Sequence, residues 1–343
     1  MKHLYIITAV VMSLFYSATA LGQQICYSVD KIWDNGSHCA FTSIEQYKGE
    51  YYITFREGET HIFDRKGNAE GKVRILHSAD GTTWEALPLI GKAGIDLRDP
   101  KLSIMPDGRL MVIIGGSIYR NRKLTGCEPQ VMFSEDGRTF TEPQPIIIED
   151  KADNGFNWLW RVTWHEGTGY TISYGKAEGG KTEVALLSTT DGIHYKYLQS
   201  FDISGYPNEA TIRFLPDGQM AVMLRRDSNE PTGYWGLSHA PYTEWRWKEM
   251  EFRIGGPDFI VLDDKRIVAG GRTHLIASAP KTSLLIGKGD GRFSEVLTLP
   301  SGGDNSYPGF LKVGNELWVS YYSSHETRNA SIYLAKIPLD ILK

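Results

Sequence analysis

Cysteine is scarce in this chain of 343 residues: Cys26, Cys39 and Cys127 are the whole complement. That number is odd, too small for a disulfide scaffold, and without metal-ligand spacing. One bridge with a free thiol and three buried thiols both fit. An excess of either charge is also missing, with 37 Lys+Arg against 41 Asp+Glu and a formal charge of -4. Nucleic-acid binders carry a basic excess or stripe, so the balance argues against that class. Long apolar runs are absent beyond the N-terminus, so no membrane span is expected. The one apolar run, Leu4 to Tyr16, follows the basic start Met1-Lys2-His3 and precedes the small residues Ala18-Thr19-Ala20. It is too short to span and reads as a secretory signal peptide, residues 1–22. A lipid anchor at Cys26 would need a small residue before it, and Ile25 stands there. The mature chain, 23–343, is therefore expected to be periplasmic or secreted.

Aromatic residues make up 12%, with 36 Gly and 15 Pro, a composition suited to many short strands joined by tight turns. Six segments share one pattern of apolar stretch, Gly/Asp turn and second apolar stretch. They begin at Thr42, Lys101, Arg161, Thr211, Asp258 and Gly309. With Gly49, Gly108, Gly167, Gly218, Lys265 and Asn315 as turn positions, the spacings are 59, 59, 51, 47 and 50. Each unit reads as a β-hairpin. A second turn follows the first three hairpins: Ser78-Ala-Asp80-Gly81-Thr-Thr83-Trp84, Ser134-Glu-Asp136-Gly137-Arg-Thr139-Phe140 and the weaker Thr189-Thr-Asp191-Gly192-Ile-His194-Tyr195. Four strands per repeat of this length predict an all-β, six-bladed propeller of antiparallel blades filling 23–343 as one domain. The strand after Ser331 has no partner of its own, and the segment after Ile25 is predicted to pair with it and close the ring.

In a blade the start of the first strand and the end of the second emerge on one face. Seven residues after the turn positions stand Arg56, Gly115, Tyr174, Arg225, Arg272 and Tyr322. Arg56, Arg225 and Arg272 share one register, which suggests guanidinium groups gathered on one carboxylate. The alternative is that each pairs with a local acid such as Glu57, Asp227 or Asp258. The first-strand entrances supply Asp99 and Lys101, Trp158 and Trp160, Glu209 and Thr211, Asp258, and Asn305 and Tyr307, with His61, Arg98, Arg161, Asp304 and His325 nearby in sequence. Tyr307 becomes a nucleophile only beside a base, and Glu209 could serve; otherwise Tyr307 packs and Glu209 caps a turn.

These turns and the stretches Asn208-Glu209 to Asp217-Gly218, Leu224-Arg225-Arg226 and Asp304-Asn-Ser-Tyr307-Pro-Gly resemble the sialidase superfamily, six-bladed propellers with Asp-box turns. The resemblance covers the mature chain. It implies a glycoside hydrolase that releases a terminal acidic sugar, with a Tyr307 nucleophile assisted by Glu209 and a carboxylate held by arginines. Sialidases carry Phe-Arg-Ile-Pro on the first inner strand, whereas this chain has His38-Cys-Ala-Phe-Thr42 there. The general acid is open among Asp99, Asp64 and Glu57. The remaining substrate-binding candidates are Arg56, Arg225, Arg272, Glu57, His61, Arg98, Trp160, Arg161, Asp258 and Tyr322. No metal or cofactor is implied, the expected partner is a glycan, and a monomer is expected. Two further readings are a non-catalytic carbohydrate-binding propeller and a same-fold lyase or hydrolase of uronic or neutral linkages.

Overall fold

The computed structural model describes residues 14–20, 23–176, 182–227, 232–273 and 279–343. Every regular element in it is a strand, and the strands form six sheets arranged as the six blades of a propeller. Blade one runs outward through His38–Tyr47, Glu50–Gly58, Lys72–Ser78 and Glu85–Ala86. Blades four and five repeat that plan from Pro207–Phe214 and Gly255–Val261. Blade two adds a short strand, Lys123–Cys127, beside its second strand. Blade three departs most. Its inner strand is broken into Trp158–Leu159 and Thr163–His165, and Ile147–Ile148 joins its outer edge in parallel. The second strand of blade two is buried on both faces from Leu110 to Ile114, whereas the outermost strand of blade one is two exposed residues. That gradient follows from a ring in which each blade face packs on its neighbour. One cluster joins Tyr52 and Ile75 of blade one to Val112 and Ile114 of blade two.

Ring closure agrees with expectation. Gln23–Trp33 pairs antiparallel with Ser331–Pro338, with Val29 opposite Ala335, so the first and last described strands of the domain share blade six. A further strand, Leu14–Ala20, pairs with Gln23–Trp33 on the outer edge. It lies within the segment read as a leader. Cys39 is buried and Cys127 half-buried, and neither is in a disulfide.

The three Ser/Thr-x-Asp-Gly turns share one bonding scheme. Asp80 Oδ1 accepts from the amides of Thr82 and Thr83 at 2.7 and 2.8 Å, and Ser78 Oγ accepts from Gly81 N at 2.8 Å. Asp136 and Asp191 do the same for Arg138 and Thr139 and for Ile193 and His194. Amide donation holds these carboxylates below the usual range. The following Trp84 and Tyr195 turn into the inter-blade core. These turns brace blade edges, away from the residues described next.

Candidate active site

The innermost strands are not regular. In blades one, two, four, five and six the ladder slips once, so that two inner residues oppose one on the second strand. The bulged pairs are Phe41-Thr42, Asp99-Pro100, Asn208-Glu209, Gly256-Pro257 and Tyr307-Pro308. Such a bulge bends the strand and re-aims a side chain. Phe41, Asp99, Gly256 and Tyr307 have φ of 69°, 47°, 59° and 53°. For a residue other than glycine that backbone costs roughly 1–3 kcal/mol. Proline fits at the next position because the bulge has already removed a ladder bond. Gly256 has a second reason: a Cβ there would lie 2.4 Å from Tyr307 Cγ.

A bulge also frees carbonyl groups, and side chains from other blades satisfy them around and across the central channel. Lys101 Nζ donates to Phe41 O and Thr42 O, both at 3.1 Å. Trp160 Nε1 and Thr211 Oγ1 donate to Pro257 O at 3.2 and 2.7 Å. Arg161 Nη2 donates to Pro308 O at 3.0 Å, and Thr42 Oγ1 to Tyr307 O at 2.9 Å. Arg161 is further held by Asp258, which also binds Arg213. Trp160, Arg161 and Asp258, expected to touch substrate, thus serve the channel wall, and Trp160 is wholly buried.

The re-aimed residues meet at the mouth. Tyr307 Oη donates to Glu209 Oε1 at 2.6 Å, and Arg225 Nη1 lies 2.7 Å from Glu209 Oε2 and 3.0 Å from Tyr307 Oη. Gly256 N, freed in its own bulge, donates to Glu209 Oε2 at 2.7 Å. The Arg272 guanidinium stands 5.3 Å from the centre of the Tyr307 ring. Phe41, Trp160 and Tyr322 pack round the same ring at 5.0, 5.6 and 5.9 Å. Tyr307, Glu209 and Asp99 each keep 7% exposure, and the Asp99 and Glu209 charges act on each other and on Tyr307, so these three form a floor; Trp160 and Tyr322 keep no exposure and support it. Burial, then the Glu209 carboxylate, raises the Tyr307 phenol, and Arg225 and Arg272 oppose this. Its proton therefore stays on oxygen, in a short bond to a carboxylate able to take it.

Asp99 differs from every other acid near the mouth, because its Oδ1 is buried with no hydrogen-bond partner among the described residues. Burial raises its pKa, Lys101 and Arg98 pull it back, and Glu209 pushes it further up. Lys101, from the same strand, is lowered by burial first and by Arg161 next. A carboxyl that holds its proton toward neutral pH suits a general acid.

The three arginines of the shared register do not occupy equivalent ladder positions. In the ladder Arg56 pairs with Ala40 and Arg272 with Gly255, both just before a bulge, and the residue so placed in blade four is Arg226, opposite Pro207. Arg226 turns to Thr232 and Glu249 on its own blade. Arg225 opposes the bulge itself and reaches the mouth. Arg56 is not brought there. It is buried, with Nε on Asp96 Oδ1 at 2.8 Å and Nη1 on Thr60 O at 2.8 Å. Removing one partner of a buried pair strands the other, at a cost of about 3–5 kcal/mol. Arg56→Met should therefore lower unfolding free energy by that amount in a denaturant titration, leaving the KM of any substrate little changed.

Other candidates divide. Glu57 is held by Arg74 at 2.9 Å and Asn35 at 3.0 Å, and Asp64 caps its own exposed loop through Asn68. Neither joins the floor. Tyr322 is buried with Oη on Asp304 Oδ1, and Arg272 Nη2 binds Tyr322 Oη at 2.8 Å. Arg98 lies over Phe41 and donates to His61 O at 2.8 Å. His61 Nδ1 and His38 Nε2 both meet Asp304 Oδ2. His38 was not among the candidates, and Asp304 was read only as a residue near the blade-six entrance; both sit far from His61 in sequence. The x-Pro steps at 99, 256 and 307 were the available signal for the bulges.

No family model matches the chain, and no curated protein does. Solved structures do. A protein of unknown function from Dyadobacter fermentans is 19% identical with a TM-score of 0.75, over 90% of this chain and 99% of that one. Trypanosoma rangeli sialidase is 14% identical with a TM-score of 0.67, over 89% of this chain and 56% of its own length. Penicillium chrysogenum α-L-arabinanase, solved with arabinobiose, is 15% identical with a TM-score of 0.65, over 97% and 99%. The chain thus spans little more than half of the sialidase. The likeness is one of fold: this chain is built as a six-bladed propeller like those of glycoside hydrolases.

Proposed function

We propose that the protein is a secreted or periplasmic glycoside hydrolase that releases a terminal acidic sugar with retention of configuration. The observation that carries this reading is the 2.6 Å bond from Tyr307 to Glu209 with Arg225 against both groups. Tyrosine nucleophiles are a known exception to the two-carboxylate scheme. In the first step Tyr307 Oη attacks the anomeric carbon and passes its proton to Glu209. The bond to the leaving oxygen breaks as Asp99 protonates that oxygen. In the second step water displaces the tyrosine, giving a proton to Asp99 while Glu209 returns one to the phenolate. Neutral Tyr307 avoids the repulsion that a carboxylate nucleophile would meet from an anionic sugar. Arg225 and Arg272 would hold the sugar carboxylate.

A second reading, hydrolysis of a neutral linkage, is favoured by the withdrawal of Arg56 and by the pairing of Arg225 with Asp227 and Arg272 with Asp304. A panel of methylumbelliferyl sialosides, uronides and arabinosides separates them. Fluorescence from the carboxylated members is expected; fluorescence from arabinosides alone would move the assignment to neutral sugars. Binding of these glycosides without release would leave a carbohydrate-binding propeller.

A further inference from the structure

Three side chains from separate parts of the chain converge at the edge of this site. His38 opens the inner strand of blade one, His61 lies in the loop after Glu50–Gly58, and Asp304 directly precedes Asn305–Val313 of blade six. His38 Nε2 and His61 Nδ1 reach the same oxygen, Asp304 Oδ2, at 2.9 and 2.6 Å. The rings stand at 74° with centroids 5.3 Å apart, and one ligand atom from each of the three residues lies within 4.8 Å of the others. The other carboxylate oxygen is already committed. Asp304 Oδ1 accepts from Tyr322 Oη at 2.9 Å and from Arg272 Nη2 at 3.2 Å, so the carboxylate is oriented from behind with Oδ2 facing the imidazoles. His61 is held through its backbone by Arg98 and at its ring by Phe41. Its side chain is 43% exposed and that of Asp304 29%, which leaves a solvent path.

We infer that His38, His61 and Asp304 form a binding site for one divalent transition-metal ion. Two imidazoles and one carboxylate with open positions are a zinc-type donor set, whereas calcium and magnesium take oxygen ligands. With metal–nitrogen bonds of roughly 2.0–2.1 Å, tetrahedral ligand atoms stand roughly 3.3 Å apart. The two imidazole–carboxylate contacts need to open by less than about 1 Å by that estimate, and the imidazole nitrogens, within 4.8 Å of each other, to close by at most about 1.5 Å; the exposed His61 ring can supply the movement. Outer partners of the kind that Arg272 and Tyr322 provide commonly fix such ligands. The ion would share Asp304 with Arg272 and add positive charge beside the floor. It is independent of whether the floor hydrolyses glycosides.

The test uses the full chain after EDTA treatment and gel filtration. Titration with CoCl2 should produce d–d absorption saturating at one equivalent per chain, and ZnCl2 should displace it. Asp304→Asn and His61→Ala should each weaken cobalt binding by more than roughly 100-fold, the upper end for loss of an outer partner. His61 is on the surface, so its variant keeps the fold, which circular dichroism verifies. Absent absorption, or absorption unchanged in His61→Ala, would overturn the inference.

Discussion

Tyr307→Phe should reduce kcat by at least about 1,000-fold, with substrate binding retained. The order of magnitude follows from loss of the attacking atom, since the rest of the site supplies only electrostatics and positioning. The substitution removes one oxygen. It keeps the ring that Phe41, Trp160 and Tyr322 enclose, and phenylalanine has the same backbone demands at φ 53°. Glu209 loses one donor but retains Arg225 and Gly256 N. The fold should therefore persist, and stopped-assay product release against fluorescence-detected binding separates the two effects. Unchanged turnover would remove the phenol from the chemistry.

Asp99→Asn should lower kcat by about 100- to 10,000-fold, the usual contribution of a positioned acid. Asparagine tolerates the left-handed backbone at this position better than other replacements do. The wild-type rate should fall as pH rises through about 6, the value to which burial pushes Asp99, because the acid form is the active one. The variant should lose that limb. Stability should fall in the same direction. The carboxyl is raised from 3.8 to about 6 in the folded protein, so between those values the folded state binds more protons than the unfolded one. Stability from this group is therefore full below 3.8 and is lost as pH rises toward about 6. Urea titrations across that window should show the fall in the wild type and its absence in Asp99→Asn. Lys101 has the opposite sign. Burial lowers it, so the unfolded state binds more protons, and its contribution improves with rising pH above about 7.

The six hairpins and the closing strand were readable because alternation and turn chemistry recur along the chain, and both are local signals. The floor was readable only in part. Counting from the turns put Glu209, Asp99 and Tyr307 at the channel entrance, where the bulges do aim them. The same count grouped Arg56 with Arg225 and Arg272, and it failed for two physical reasons. Blade four bulges one residue further from its turn, which moves Arg225 from the ladder position of Arg272 to the point opposite the bulge. The fate of Arg56 depended on Asp96, a neighbour in the next blade that no spacing rule identifies. Trp160 and Arg161 misled for a related reason: an inward polar group near a mouth reads as a ligand contact, but bulge carbonyls consumed theirs. His38, His61 and Asp304 meet only because the ring closes blade six against blade one.

The most direct measurement is covalent trapping. Wild-type protein incubated with 2,3-difluorosialic acid and with 2-fluoro uronosyl fluorides is digested and mapped by mass spectrometry. A glycosyl adduct is expected on the peptide containing Tyr307, fragmenting at that residue and absent from Tyr307→Phe. An adduct placed on Glu209 or Asp99 instead, or one that survives in Tyr307→Phe, would contradict a Tyr307 nucleophile.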